Sequence, residues 1–137
     1  MNSLSKKNID VAKQYLELLA KRELDKIIQL FGNKVDWYIP GNELLAPWLG
    51  RRSNKEDIKN FFKLLWKNTV PIDAEIDAIL SSNNLVVITG EFSTLMLSAN
   101  RTVKSMFFIK MVIENGLIVK YHLLEDSFAV SEVLTIK

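Results

Sequence analysis

The residue best suited to acid–base chemistry in this sequence is a glutamate that follows a row of apolar side chains. Alternation along a strand from Leu117 sets Leu117, Val119, Tyr121 and Leu123 on one face. Glu125 joins that face if the strand continues. A carboxylic acid withdrawn from water keeps its proton to higher pH, which suits a general acid or base near neutrality. The competing environment is open water just past a strand end. Asp126 is a second carboxylate beside it. On the preceding strand Val103, Ser105, Phe107, Ile109, Met111 and Ile113 share a face, with Ser105 the lone polar member. Its hydroxyl can polarise a substrate oxygen or bond a neighbouring backbone carbonyl. Tyr15 and Trp37 are read either as core or as pocket groups. His122 alternates to the opposite face with Lys120 and is expected at the surface.

Other chemistries lack their residues. One histidine and no cysteine leave no set of transition-metal ligands, so neither metal nor cofactor is expected. Gly-rich phosphate loops, GxSxG and HExxH are absent. The net charge of +2, from 18 basic and 16 acidic residues, is too small to predict nucleic acid or an anionic membrane as partner. No run of apolar residues is long enough for a membrane span, and Met1 to Asp10 does not read as a secretory signal. A cysteine-free chain fits a cytoplasmic location.

These groups need a scaffold, and 137 residues with 48% hydrophobic and 25% charged side chains provide one ordinary folded domain, residues 1–137. Helical spacing of Ile9, Ala12, Leu16, Leu19 and Ala20 predicts a first helix, and Leu24, Ile27, Ile28 and Phe31 a second, stopped at Gly32-Asn33. Val35 to Ile39 reads as a short strand and Pro40 to Gly50 as an ordered loop. Ser53 with Glu56 reads as a capping box opening a third helix to about Lys67, and Pro71 closes that segment. The period then falls to two. Asp73 to Ala78, Leu85 to Leu97, Arg101 to Ile113 and Leu117 to Leu124 read as strands, joined by turns that include Asn115-Gly116. The tail from Asp126 to Ile136 is open between helix and strand. Helices followed by hairpin-linked strands give an α+β fold, and strands this long curl into a hollow that holds helices.

The outward face is partly apolar as well, with Met106, Phe108, Val112, Ile118 and Leu124 between Lys104 and Lys110. An unpartnered apolar face predicts a sheet-to-sheet homodimer.

Taken in order, Tyr15-Leu16-Glu17-Leu18-Leu19, Leu24 to Phe31, Trp37-Tyr38-Ile39-Pro40-Gly41, Pro47 to Arg51, Phe61-Phe62, Asn115 to Ile118 and Glu125 to Val130 resemble one family. The chain is similar to the ketosteroid isomerase-like and SnoaL-like polyketide cyclase group of the nuclear transport factor 2-like superfamily. The resemblance implies a cone-shaped single domain. A curved antiparallel sheet would wrap the N-terminal helices and a third helix around a central apolar pocket. It also implies that isomerases, dehydratases, cyclases, epoxide hydrolases and plain binding proteins all share the scaffold. Steroid isomerases of this group use an aspartate base before a proline, with a tyrosine and a protonated acid as oxyanion donors. Tyr15 matches that tyrosine. Ile39 stands where the base belongs, and the acid position falls near Phe108, so that mechanism is not expected here. Asp126 resembles an acidic residue of SnoaL-like members, and Glu125 falls near a pocket-lining position.

The resulting expectation is a small-molecule binding protein for an apolar ligand. Trp37, Trp48, Phe61, Phe92, Thr94, Ser105, Phe107, Tyr121 and Leu123 are the expected pocket lining, and Tyr15, Glu125 and Asp126 the candidate catalytic groups. The alternatives are a cofactor-independent isomerase, dehydratase or cyclase using a pocket carboxylate, and a non-catalytic dimeric interaction module.

Overall fold

In the computed structural model, which describes residues 2–135, the first helix begins earlier than its apolar spacing predicts. Helix α1 spans Ser3–Lys21, and the Asn2 side chain caps it by accepting from the Ser5 amide at 2.8 Å. Its buried stripe is Ser5, Asn8, Ala12, Tyr15 and Leu18 rather than Ile9, Leu16 and Ala20. The stripe includes two polar residues because both find partners. The Asn83 amide donates to Ser5 Oγ, and Asn8 Nδ2 donates to the Asn83 carbonyl. Paired polar groups can be buried where unpaired ones cannot.

Helix α2 (Leu24–Gln29) stops short of the expected Phe31. Phe31 and Gly32-Asn33 instead open strand β1 (Phe31–Ile39), and the Ile118 amide donates to the Leu30 carbonyl. A strand pairing thus claims residues that helical spacing assigned to α2. After the loop, β2 (Gly50–Arg52) returns antiparallel along β1. The cap of helix α3 (Lys55–Asn68) is Asn54, accepting from the Asp57 amide at 2.9 Å, and not Ser53. The Ser53 carbonyl is already used by the Val35 amide. The remaining chain forms β3 (Thr69–Ser82), β4 (Leu85–Met96), β5 (Arg101–Glu114), β6 (Leu117–Glu125) and α4 (Ser127–Leu134). Pro71 does not close a segment; it lies in β3, an edge strand, where a missing amide donor costs no ladder bond.

One six-stranded sheet runs in the order β2-β1-β6-β5-β4-β3. The run from β3 to β6 is the expected antiparallel meander. The sheet as a whole is mixed, because β1 lies parallel to β6. The two strands are joined by a crossover through α3 and the entire meander, so no hairpin dictates their sense. The sheet is curved and open, with α1 and α3 on its concave side. Gly90 permits part of this curvature. A Cβ there would meet the Glu75 carbonyl and the Phe107 ring at 2.8 Å, and β3 slips register beside it, between Ile76 and Ala78.

Alternation places the β5 face as expected, with Val103, Ser105, Phe107, Ile109, Met111 and Ile113 all buried. On β6 it fails at the start. Val112 pairs with Lys120 but Ile113 with Ile118, so Val119 is the extra residue of a bulge. The bulge turns Ile118 inward and Leu117 outward, the reverse of unbroken alternation. From Tyr121 onward the predicted phase is restored. Among the described residues, no helix is long and apolar enough to cross a membrane.

Candidate functional site

The concave face carries an aromatic cluster built by two neighbouring strands and two helices, with Arg52 of a third strand beside it. Trp37 on β1 is opposite Arg52 on β2 and Tyr121 on β6, so all three side chains share the inner face. Trp37 stacks on Tyr121 with centroids 4.3 Å apart, and meets Phe61 of α3 edge-on at 4.8 Å. Phe31 and Phe62 complete the packing. These rings fill the centre of the cone. Open clefts lie elsewhere, one of about 410 Å³ between the start of α1 and the β3–β4 hairpin and another of about 570 Å³ beside Asn33, Asp36 and Ser53.

Tyr15 reaches this cluster from α1. Its hydroxyl donates to the Tyr121 hydroxyl at 2.8 Å, and both side chains are buried. The proton that sequence reasoning reserved for a substrate is therefore spent on Tyr121. Tyr121's own proton has no acceptor among the described residues. Burial, followed by the electrostatic effect and hydrogen bond of Tyr121, holds Tyr15 well above the usual phenol range. Burial likewise raises Tyr121, with the Glu125 carboxylate adding to it.

Glu125 is the last residue of β6 and pairs with the inward-facing Phe107, which puts it on the inner face. It is half-buried and has no hydrogen-bond partner among the described residues. Removal from water, then repulsion from Asp126, pushes its carboxyl up to about 7. It can hold or release a proton at physiological pH.

Asp126 and Ser105 are committed otherwise. The Asp126 carboxylate accepts from the Ala129 amide at 3.0 Å and caps α4. Ser105 Oγ donates to the Met106 carbonyl at 2.6 Å and accepts from the Asp126 amide at 2.8 Å. It fastens the β6–α4 corner to β5. Of the other expected lining residues, Phe92 and Phe107 meet at 6.1 Å between centroids on the inner face, below Glu125. Leu123 shares that face, half-buried, and Thr94 lies further along β4, opposite Val103. Trp48 is buried in the ordered loop from Pro40 to Gly50, together with Ala46 and Leu49. A Cβ added to Gly41 would come within 3.6 Å of the Ser127 Cβ, so that loop runs beside the start of α4. His122 lies on the convex face, bound to Asp36 at 2.9 Å.

One inner-face residue escaped sequence reasoning. Arg52 donates to the Asp57 carbonyl at 2.8 Å and lies 5.9 Å from the Phe61 ring centre. Its Nε and the Trp37 Nε1 are buried without a partner among the described residues. An arginine in a strand of three residues carries no face signal until the partner strand's register is known.

Residues 12–121 match the model of the SnoaL-like domain. No curated protein sequence matches the chain. Among solved structures, an NTF2-like protein of unknown function from Burkholderia pseudomallei superimposes with a TM-score of 0.86 at 16% identity, covering 95% of this chain and 98% of that one. TerC, co-crystallised with polyporic acid, gives 0.77 at 14%, covering 95% and 99%. An LEH-like epoxide hydrolase from Mycobacterium tuberculosis gives 0.74 at 12%, covering 95% and 90%. At these identities the likeness is one of fold, while the match of the family model extends over most of the chain. By that match this chain belongs to the SnoaL-like domain family.

Proposed function

We propose that the chain, acting as one domain, binds a small apolar molecule on the inner face beside Glu125, where Phe92 and Leu123 are only part-buried, rather than within the packed ring cluster. Glu125 moves a proton on that molecule, as in a cofactor-independent isomerase or lyase. The supporting observation is a carboxyl on the inner face, beside Phe107, that is poised to titrate near pH 7 and lacks a hydrogen-bond partner among the described residues. As carboxylate, Glu125 removes a proton from carbon next to a ligand carbonyl. The electron pair moves to the carbonyl oxygen, where the Tyr121 hydroxyl donates to it and Tyr15 holds Tyr121 in place. Return of the proton from Glu125 to another carbon completes an isomerisation with no co-reactant. The vacant base position at Ile39 argues for this different placement of the acid rather than the steroid isomerase arrangement. Similar folds have been solved for an epoxide hydrolase-like protein and with polyporic acid present.

Native mass spectrometry of freshly purified protein should reveal a bound small apolar molecule. Turnover of that molecule should fall at least about a hundredfold in Glu125→Gln, the usual weight of a general acid or base, and less in Tyr121→Phe. Equal turnover in wild type and both variants would reduce the protein to a binder.

The convex face supports a second copy of the chain as partner. Met106, Phe108 and Leu124 are at least half exposed there, at 61%, 50% and 55%. Phe108 pairs with Leu124, forming a continuous apolar strip. Lys104 and Lys110 flank it on β5, and Glu75 and Glu91 pair on the β3–β4 side. A two-fold arrangement sets each basic half against the partner's acidic half.

A further inference from the structure

We infer that an extended segment of a partner protein, apolar and then basic, docks as an added strand on the free edge of β3, in the cleft beside the start of α1. Among the described residues β3 is an outermost strand, with β4 on one side only. An edge strand presents a row of backbone amides and carbonyls to whatever lies beside it. Most of this edge is guarded. Pro71 removes a donor, and register shifts interrupt the strand between Pro71 and Asp73 and between Ile76 and Ala78. Asp73, Glu75 and Asp77 add exposed carboxylates. Proline, bulges and charge are the devices that keep edge strands from pairing. From Ala78 to Ser82 all of them are missing. The register with β4 is unbroken there, and no residue is charged or a proline. Leu80, in the middle of this stretch, is 61% exposed.

The cleft of about 410 Å³ coincides with the unguarded stretch. Its strand wall runs without a gap from Ile79 to Asn83 and so includes residues of both sheet faces. The cleft therefore follows the strand edge rather than either face. Its helix wall is Asn2, Ser5 and Ile9, one stripe of α1. That stripe rises roughly 10 Å, the length of about three extended residues. One end is held rigid, because Asn2 Nδ2 donates to Asn83 Oδ1 and the Asn83 amide donates to Ser5 Oγ, both at 2.8 Å. A chain laid in this slot takes ladder bonds from the β3 edge and rests side chains on the half-buried Ile9. The antiparallel sense is the more stable per residue, and it carries the C-terminal end of the segment past Asp77, Glu75 and Asp73. None of these three carboxylates is in an ion pair among the described residues. Charge complementarity therefore makes that end of the segment basic. A second copy would bring the same edge, and Thr69–Ser82 contains no lysine or arginine to meet the carboxylates.

The test uses the full chain with capped synthetic peptides: TVTVTVKKK, the acidic TVTVTVEEE, and TVTPTPKKK, in which prolines remove backbone donors. Proton–nitrogen NMR should show TVTVTVKKK shifting the amides of Ala78 to Ser82, and hydrogen exchange at those amides should slow. The proline peptide should bind at least about fivefold more weakly, the weight of one backbone hydrogen bond. The acidic peptide should bind at least about tenfold more weakly, because like charges then meet along the edge. Asp77→Lys should weaken TVTVTVKKK and strengthen TVTVTVEEE. The peptide comparisons need no protein variant, so they decide alone should Asp77→Lys not fold. The inference is overturned if no peptide binds up to millimolar concentration, or if the acidic or proline peptide binds as well as TVTVTVKKK. Shifted amides on the convex face or beside Glu125, with Ala78 to Ser82 unmoved, would also overturn it. Shifts at Ala78 to Ser82 that follow protein concentration with no peptide present would overturn it in favour of a second copy.

Discussion

Glu125 and Asp126 are neighbours of the same chemical type with different fates. Asp126 turns toward the first amides of α4 and accepts a hydrogen bond. Glu125 turns toward Phe107 and has none among the described residues. Its raised pKa therefore has a consequence for folding. In the unfolded chain a glutamate titrates near 4.5, and here near 7. Between those values the folded state holds the extra proton, so stability falls as pH rises from about 4.5 through 7 and stays reduced above it. Glu125→Gln carries no charge in either state. Urea denaturation should show the variant more stable than wild type at pH 8, by on the order of 2 kcal/mol, with the difference much smaller at pH 4.5. An unchanged difference across that range would place the carboxylate in water. The Tyr15–Tyr121 pair shows the same dependence on partners. Tyr15 is a candidate through the tyrosine that the family resemblance places in the first helix, but the group that accepts its hydrogen bond is 106 residues away in sequence.

Element boundaries follow competition for backbone and side-chain partners. Asn54 displaced Ser53 as the α3 cap because the Ser53 carbonyl is fixed to β1. Phe31 left α2 for β1 because its strand partner on β6 is available. Local spacing is blind to both events. Asp126 is the clearest test at this scale. Asp126→Ala removes the α4 cap, and thermal or urea unfolding should show a loss of about 1 kcal/mol. Because Gly41 of the Pro40 to Gly50 loop runs beside Ser127 at the start of α4, hydrogen exchange should quicken in both. Exchange confined to α4 would show that the loop is held independently. The bulge at Val119 carries a related lesson. Period-two alternation located the β5 inner face from Val103 to Ile113 and the β6 face from Tyr121 to Glu125. One extra residue inverted Leu117 and Ile118.

The molecule as a whole presents two unlike faces of one sheet. The concave face is closed by helices and packed with rings; the convex face leaves Met106, Phe108 and Leu124 open among charges. In the proposed dimer, Phe108→Glu puts a carboxylate into the centre of the strip. Light scattering at micromolar concentration should then give about 15.7 kDa, the mass of one chain, and twice that for wild type. A wild-type monomer at those concentrations would leave the convex face without its proposed partner. The α+β class, the family, the order of strands β3 to β6 and the inward row on β5 can be read from the residues alone. Those features come from local spacing and from turns between consecutive strands, each confined to a few neighbouring residues. The parallel seating of β1 on β6, the shared face of Arg52, Trp37 and Tyr121, and the hydrogen bond from Tyr15 to Tyr121 come from the assembled fold alone. These depend on pairing between segments far apart in the chain, where register and direction are set by the packing of the whole sheet.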